Sequence, residues 1–325
     1  VFPKDEEDIK KLVSFVNKYP EKKLTITARS GGTDMSGGPL AEHIVLDFSK
    51  YFTKIKKIGK DTALSGVEGY SVVQPGVFYR DFEKQTLRRN LLLPSYPASR
   101  EICAIGGMVS NNSGGEKSLT FGKTEDYVQQ LNMVLSDGKE HVFQPLSKAE
   151  LNKKMKLTGF EGDIYRKLYQ LVEENYASLQ KAKPKVSKNS AGYFLWNVWD
   201  KKTFDVTKLI VGSQGTLGIV TEVKFRLIRP QRHAALLVIF LKELQPLAKL
   251  IEKVLEKKPE SFESYDDQTL KFALRFLPDF LKLLGAKNML SLGLQFLPEF
   301  KMFLFGGFPK LVLLAEFTAD SLEEA

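Results

Sequence analysis

Glycine is concentrated where this chain leaves or enters short apolar stretches, and that placement limits the fold more than any other feature. The segment Arg29-Ser30-Gly31-Gly32-Thr33-Asp34-Met35-Ser36-Gly37-Gly38-Pro39 joins an extended run at 24–27 to another at 44–48. Residues 104–115 and 212–219 repeat the arrangement, and a fourth small-residue segment spans 187–193. Glycine has no Cβ, so such a run can turn several backbone N–H groups toward one point and accept positive φ. An anion suits that arrangement, a diphosphate above all, with the Arg29 charge and the Ser30, Thr33 and Ser36 hydroxyls added to the donors. A single loop of this kind is better read as a flexible turn. Four of them in one part of the chain predict a site.

The intervening sequence is patterned. Ile9, Leu12, Val13 and Val16 follow helical spacing, with Asp5 as N-cap. Residues 127–143 read as a hairpin around Asp137-Gly138, a pair suited to a type I′ turn. Residues 163–183 read as one helix with Ile164, Leu168, Leu171 and Val172 on one face. Residues 219–228 alternate as a strand that Pro230 ends. Beyond Pro230 come an apolar strand at 235–240, an amphipathic helix through Leu247, Leu250, Ile251 and Leu255, Phe-rich helical sequence, and a buried strand at 311–315. The phrases at 276–280 and 296–300 read as two helix starts with Pro in the first turn. A chain of 325 residues suits two domains, and the change of character sets them at 1–230 and 231–325. The start at Val1, and a capping-box spacing at 321–324 with about one turn of chain, predict a piece of a longer protein.

Several function classes drop out. A single cysteine, Cys103, forms no internal disulfide, and His43, His141 and His233 lie far apart, so no zinc site is expected and a cytosolic setting is favoured. Of the net charge of +9, residues 1–230 carry +10 and residues 231–325 carry −1; much of the basic excess sits on helical faces, without aromatic interleaving, and nucleic acid is not an expected partner. No secretory signal and no unbroken apolar run of membrane-spanning length is present. No GxGxxG follows a strand, and Gly122-Lys123-Thr124 lacks the P-loop glycine, Lys117 standing five residues before Gly122. Neither GxSxG nor HExxH occurs.

Residues 28–38, 103–115 with Phe121-Gly122-Lys123-Thr124-Glu125-Asp126, and 212–222 together resemble, in order and spacing, the FAD-binding motifs of the p-cresol methylhydroxylase-type superfamily. The nearest branch is the D-lactate dehydrogenase, glycolate oxidase and D-2-hydroxyglutarate dehydrogenase group. The resemblance implies an α+β fold: a two-subdomain FAD-binding domain at 1–230, then an incomplete α+β substrate (cap) domain at 231–325. It implies a diphosphate held by Arg29, Ser30, Gly31, Gly32, Thr33, Asp34 and Ser36. Ala104, Gly106, Gly107, Asn111, Ser113 and Gly114 would line the flavin and ribityl chain, with further contacts from Gly215, Gly218 and Ile219. Relatives that tether flavin covalently place histidine in the first loop; this loop has none, which implies non-covalent binding. The chain departs from the pattern at Gln214, where many relatives have Glu, and at Ser30 and Asp34, where glycine is common. Asp34 adds a carboxylate near the expected diphosphate.

The implied reaction is hydride transfer from C2 of a D-2-hydroxy acid to flavin N5, with a separate electron acceptor such as a quinone, a cytochrome, a flavoprotein or an iron–sulfur protein. The 187–193 segment resembles the substrate side of the family's flavin site, where Lys188 would attract a carboxylate and Asn189 and Tyr193 would hydrogen-bond it; a plain turn is the alternative. The family's histidine-rich base and metal motif would lie beyond residue 325, so no base and no metal is assigned within this chain. A non-catalytic FAD-binding subunit of a larger redox complex remains the second reading. The expected location is cytoplasmic, with peripheral attachment at the inner membrane face left open.

Overall fold

Asp5 ends the extended N-terminal chain by accepting the Asp8 N–H at 3.1 Å, starting α1 (Glu6–Lys18), whose Ile9 and Val13 are buried. The computed structural model describes residues 1–61, 68–186, 189–276, 279 and 308–324. From α1 the chain runs through β1 (Ile26–Arg29), β2 (Ile44–Asp47), β3 (Ile55–Lys60) and β4 (Gly69–Val73) to α2 (Tyr79–Leu87). Two short helices, α3 (Ile105–Ser110) and α4 (Ser118–Phe121), precede β5 (Val128–Val134) and β6 (Glu140–Phe143). β7 (Leu146–Ser147), α5 (Lys148–Met155), α6 (Phe160–Glu174), α7 (Tyr176–Ala182), β8 (Thr203–Phe204), α8 (Thr207–Ile210) and β9 (Ile219–Leu227) follow. The chain divides into two compact units, Val1–Pro230 and Gln231–Ala325.

In the first unit β1 and β2 pair in parallel, Ile26 opposite Ile44, while β3-β4-β9-β5-β6 form an antiparallel sheet. The alternation of β9 explains its central place. Val223, Phe225 and Leu227 are fully buried, whereas Glu222, Lys224 and Arg226 on the other face are only partly covered. Phe225 packs against Phe82 of α2, ring centroids 6.4 Å apart. A second cluster joins Ile9 and Val13 to Leu46, Phe48, Phe52, Val134 and Ile219, so α1 pins the β1–β2 pair beside the larger sheet. That packing sets where the loop between β1 and β2 emerges.

The second unit holds β10 (His233–Leu241), α9 (Leu247–Glu256), β11 (Ser261–Asp266), α10 (Asp267–Arg275) and β12 (Leu311–Ala319). Its antiparallel sheet has the order β10-β12-β11, with His233 opposite Ala319. With helices and antiparallel sheets in both units, the fold is α+β.

Several elements differ from the sequence reading. β1 starts two residues late, because Lys23 closes a short 3₁₀ turn with φ 48°. The 127–143 hairpin is present, but its turn is not type I′. Gly138 donates to the Leu135 carbonyl at 3.0 Å and takes φ 73°, while Asp137 is not at positive φ, as in a type I turn followed by a left-handed glycine. The 163–183 helix is two helices broken at Asn175, whose side chain donates to the Leu171 carbonyl. Tyr165 rather than Leu171 is buried there, Leu171 being 48% exposed. β11 was not foreseen, since Ser-Phe-Glu-Ser-Tyr-Asp has no apolar alternation. The 321–324 spacing gives a cap-like bond from Glu324 N–H to Ser321 Oγ in a turn, not a helix. The expected helix start at 296–300 and most of that at 276–280 lie outside the described residues.

Among the described residues no helix is long and apolar enough to cross a membrane, and no group of three or more His, Cys, Asp or Glu could hold a metal ion. Both tryptophans, Trp196 and Trp199, lie in the first unit, so their fluorescence reports its unfolding. Phe225→Ala is expected to lower that unit's stability by about 3–5 kcal/mol in denaturant unfolding, through lost burial plus a cavity.

Candidate functional site

Three of the glycine-rich segments meet in one open cleft of the first unit. The first segment leaves β1. Arg29, Ser30, Gly31, Gly32, Thr33 and Asp34 all line the cleft. Gly31 faces backbone: a Cβ there would lie 2.8 Å from the Ile102 carbonyl oxygen and 2.9 Å from the Ala104 nitrogen, so only glycine lets the first segment approach the second. The backbone N–H groups of Gly31, Gly32, Thr33 and Asp34 donate to no group among the described residues. Arg29 likewise makes no ion pair there, and its guanidinium lies over Gly32. Asp34 does not face the cleft with a free carboxylate. It accepts the Ser36 hydroxyl at 2.6 Å, the Gly38 N–H at 2.9 Å and the Ser36 N–H at 3.3 Å, and these bonds hold its carboxyl below the usual range. Ser36 is thereby spent on Asp34 and does not line the cleft.

The second segment forms α3 and the turn after it. Ala104, Gly106, Gly107, Asn111 and Ser113 line the cleft, while Gly114 lies outside it, packed on Ser118. The first amides of α3 are already used: Ile105 donates to Val77, Gly106 to Pro75, and Gly107 to the Ser30 hydroxyl oxygen at 2.9 Å. Ser30 thus cross-links the first two segments with an acceptor lone pair, leaving its own hydrogen to donate. Behind the cleft Asn112 and Glu125 exchange two bonds, 2.9 and 3.1 Å, joining the second segment to residues 121–126.

The third segment closes one side. Gly215 and Gly218 line the cleft and Ile219 does not. Gln214, which carries φ 55°, donates its N–H to the Ser110 carbonyl at 2.9 Å and its side-chain amide to Asn111 Oδ1 at 3.1 Å. The fourth segment stands apart from the lining. Tyr193 shares a 2.6 Å hydrogen bond with Thr216, and the Asn189 carbonyl accepts from Lys123, so both touch the neighbourhood of the second and third segments. Lys188 lies outside the described residues. None of the three histidines lines the cleft.

Sequence reasoning missed part of the wall. Pro97, Ser99 and Cys103, from the stretch before α3, line the cleft, as do Phe48, Pro75 and Val220. Pro94 and Pro97 mark irregular backbone there, but nothing in the spacing says which loop it faces. Burial pushes the Cys103 thiol up to about 11, with the Ser99 side chain opposing, so it stays neutral near pH 7.

The sequence model of the FAD binding domain matches residues 1–144. Residues 1–144 are thus similar to an FAD binding domain. A D-2-hydroxyglutarate dehydrogenase of Pseudomonas putida is 25% identical over 276 residues, covering 85% of this chain and 27% of its own length. The glycolate oxidase subunit GlcD of Bacillus subtilis is 28% identical over 275 residues, covering 83% and 46%. A D-lactate dehydrogenase of Archaeoglobus fulgidus is 27% identical over 241 residues, covering 74% and 40%. The chain therefore spans between about a quarter and a half of these relatives. A solved structure of alkyldihydroxyacetonephosphate synthase superposes with TM-score 0.63 at 16% identity over 98% of this chain and 46% of its own, which shows a common fold.

The cleft suits FAD. A dianionic diphosphate needs several donors at once, and the first segment offers four adjacent amides without partners among the described residues, beside a guanidinium that makes no ion pair there. The one carboxylate of that segment is turned back on its own loop. Asp34 also predicts a pH dependence. Its carboxyl is lowered by the folded loop, so its stabilising contribution is complete above the unfolded value of about 3.9 and fades as pH falls through the lowered one. An NMR titration of the Asp34 carboxyl is expected to give a midpoint below that of a free aspartate.

Proposed function

We propose that the cleft holds FAD non-covalently and that the protein oxidises a small D-2-hydroxy acid to the 2-oxo acid. In this reading residues 1–230 are the FAD-binding domain and 231–325 the start of a substrate domain. The observation that carries it is the row of amides at Gly31–Asp34 that have no partner among the described residues, set beside Arg29 in a cleft that the second and third segments complete. The names of the relatives support the reaction class, D-2-hydroxyglutarate, glycolate and D-lactate being the acids those names print.

The residues divide the work. Loop amides, Arg29 and the free Ser30 hydrogen bind the diphosphate, while Asp34 and Ser36 hold the loop in shape from within. Ala104, Gly106, Gly107, Asn111 and Ser113 line the inner part of the cofactor path, with Gly215 and Gly218 opposite; Gly114 supports the turn it occupies and Ile219 starts β9 behind the third segment. Gln214 keeps the third segment against Asn111, the work of a hydrogen-bonding neutral side chain where many relatives have a carboxylate. Bound FAD supplies the hydride acceptor. Lys188, Asn189 and Tyr193 are assigned to the substrate on residue type, a cation and two hydrogen-bonding groups being suited to a carboxylate and its neighbouring hydroxyl. A quinone or a redox protein takes the electrons onward.

The second reading, a non-catalytic FAD-carrying subunit, is favoured by one observation: no histidine lines the cleft to take the hydroxyl proton. Anaerobic mixing of the FAD-loaded protein with D-lactate, glycolate or D-2-hydroxyglutarate separates the two. Bleaching of the oxidised-flavin band by one of them is the expected result; an unchanged band with all three contradicts the dehydrogenase reading. Arg29→Ala is expected to weaken FAD by about 1.5–3 kcal/mol in a titration of the apoprotein, the usual worth of a hydrogen bond to a charged group. Gly107→Trp projects an indole into the cofactor path and is expected to abolish FAD retention on gel filtration.

A further inference from the structure

The wall formed by residues 93–103 has no regular structure to hold it. It runs between two isolated bridges, Leu92 with Ile228 and Phe78 with Ala104. From Ser95 to Arg100 no backbone N–H donates to another backbone group among the described residues. Yet Leu93, Ser95, Tyr96 and Cys103 are buried, and Pro97, Ser99 and Cys103 face the cleft. Side chains must fix such a segment.

Arg100 is the residue that reaches furthest. Its Nη2 donates to both carboxylate oxygens of Glu83 on α2, at 2.9 and 2.7 Å. Its guanidinium lies over the Tyr96 ring, 4.5 Å from the centroid, and its Nη1 is 3.9 Å from Glu116. Tyr96 in turn donates its hydroxyl to the same Glu116 at 2.8 Å. Glu116 follows the second glycine-rich segment directly, and Gly115 packs so closely on this wall that a Cβ would lie 2.4 Å from the Tyr96 carbonyl oxygen. Arg100 does not itself line the cleft. It therefore ties α2, the wall and the end of the second segment together from behind.

We infer that Arg100, through Glu83, Tyr96 and Glu116, is a positioning residue for the cofactor cleft, holding Pro97, Ser99 and Cys103 at the distance the cofactor requires. The inference rests on the FAD reading above. A planar guanidinium suits the role because it pairs with a carboxylate and stacks on an aromatic ring at once, which a lysine ammonium does not.

Removing Arg100 alone leaves Glu83 buried without its counter-charge, so a stability loss by itself would not distinguish positioning from simple charge balance. The decisive variant is Arg100→Met combined with Glu83→Gln, which removes both charges. Thermal unfolding is expected to drop for Arg100→Met and to recover largely in the double variant. FAD affinity of the double variant is expected to stay about tenfold below the parent's, a loss of one charge-assisted contact's size, with a shifted visible spectrum of the bound flavin. A double variant that unfolds and binds FAD as the parent does, with the parent's spectrum, overturns the positioning role and leaves the FAD reading intact. A parent chain that binds no FAD overturns the FAD reading, and the positioning role with it.

Discussion

The cleft depends on a place where backbone meets backbone with no side chain between. Gly31 faces the 102–104 backbone at distances that exclude even a methyl group, and the Ser30 hydroxyl oxygen takes the Gly107 N–H beside it. These two contacts bring together loops separated by more than seventy residues, and each needs a small residue at its centre. Without them the first loop would hang from β1 as a flexible turn. With them it becomes one wall of a cleft whose other walls are α3, the 93–103 stretch and the turn before β9.

The division of donors follows from that contact. The opening amides of α3 are consumed by Val77, Pro75 and Ser30, so they hold protein to protein. The amides of Gly31 to Asp34 are left for a ligand. Asp34, which reads from the sequence as a carboxylate near a diphosphate, acts as the internal tie of its loop through Ser36 and Gly38. A loop that is rigid from within and unsatisfied on its outer side binds an anion without first paying to order itself.

Much of this was legible in the sequence, and the residues show why. Asp5 and the 9–13–16 spacing located α1, and the alternation from Ile219 located the central strand, because burial on one face writes a period into the chain. The glycine runs marked three loops that converge, and the family motifs named the cofactor. What stayed hidden had no local signal. Ser-Phe-Glu-Ser-Tyr-Asp forms β11 only because β12 offers it an edge. Pro97 and Ser99 line the cleft from an irregular stretch before the second glycine-rich segment, where no periodicity marks which way a residue faces. The break at Asn175 came from one side chain bonding its own backbone, which periodicity does not report.

The central claim is that this chain holds one FAD without a covalent bond. The direct measurement is the visible spectrum of the purified chain after mixing with FAD and removing the excess by gel filtration, followed by acid precipitation. The account predicts oxidised-flavin bands that travel with the protein at one flavin per chain and pass into the supernatant with acid. A colourless protein whose circular dichroism shows the folded α+β chain would contradict it.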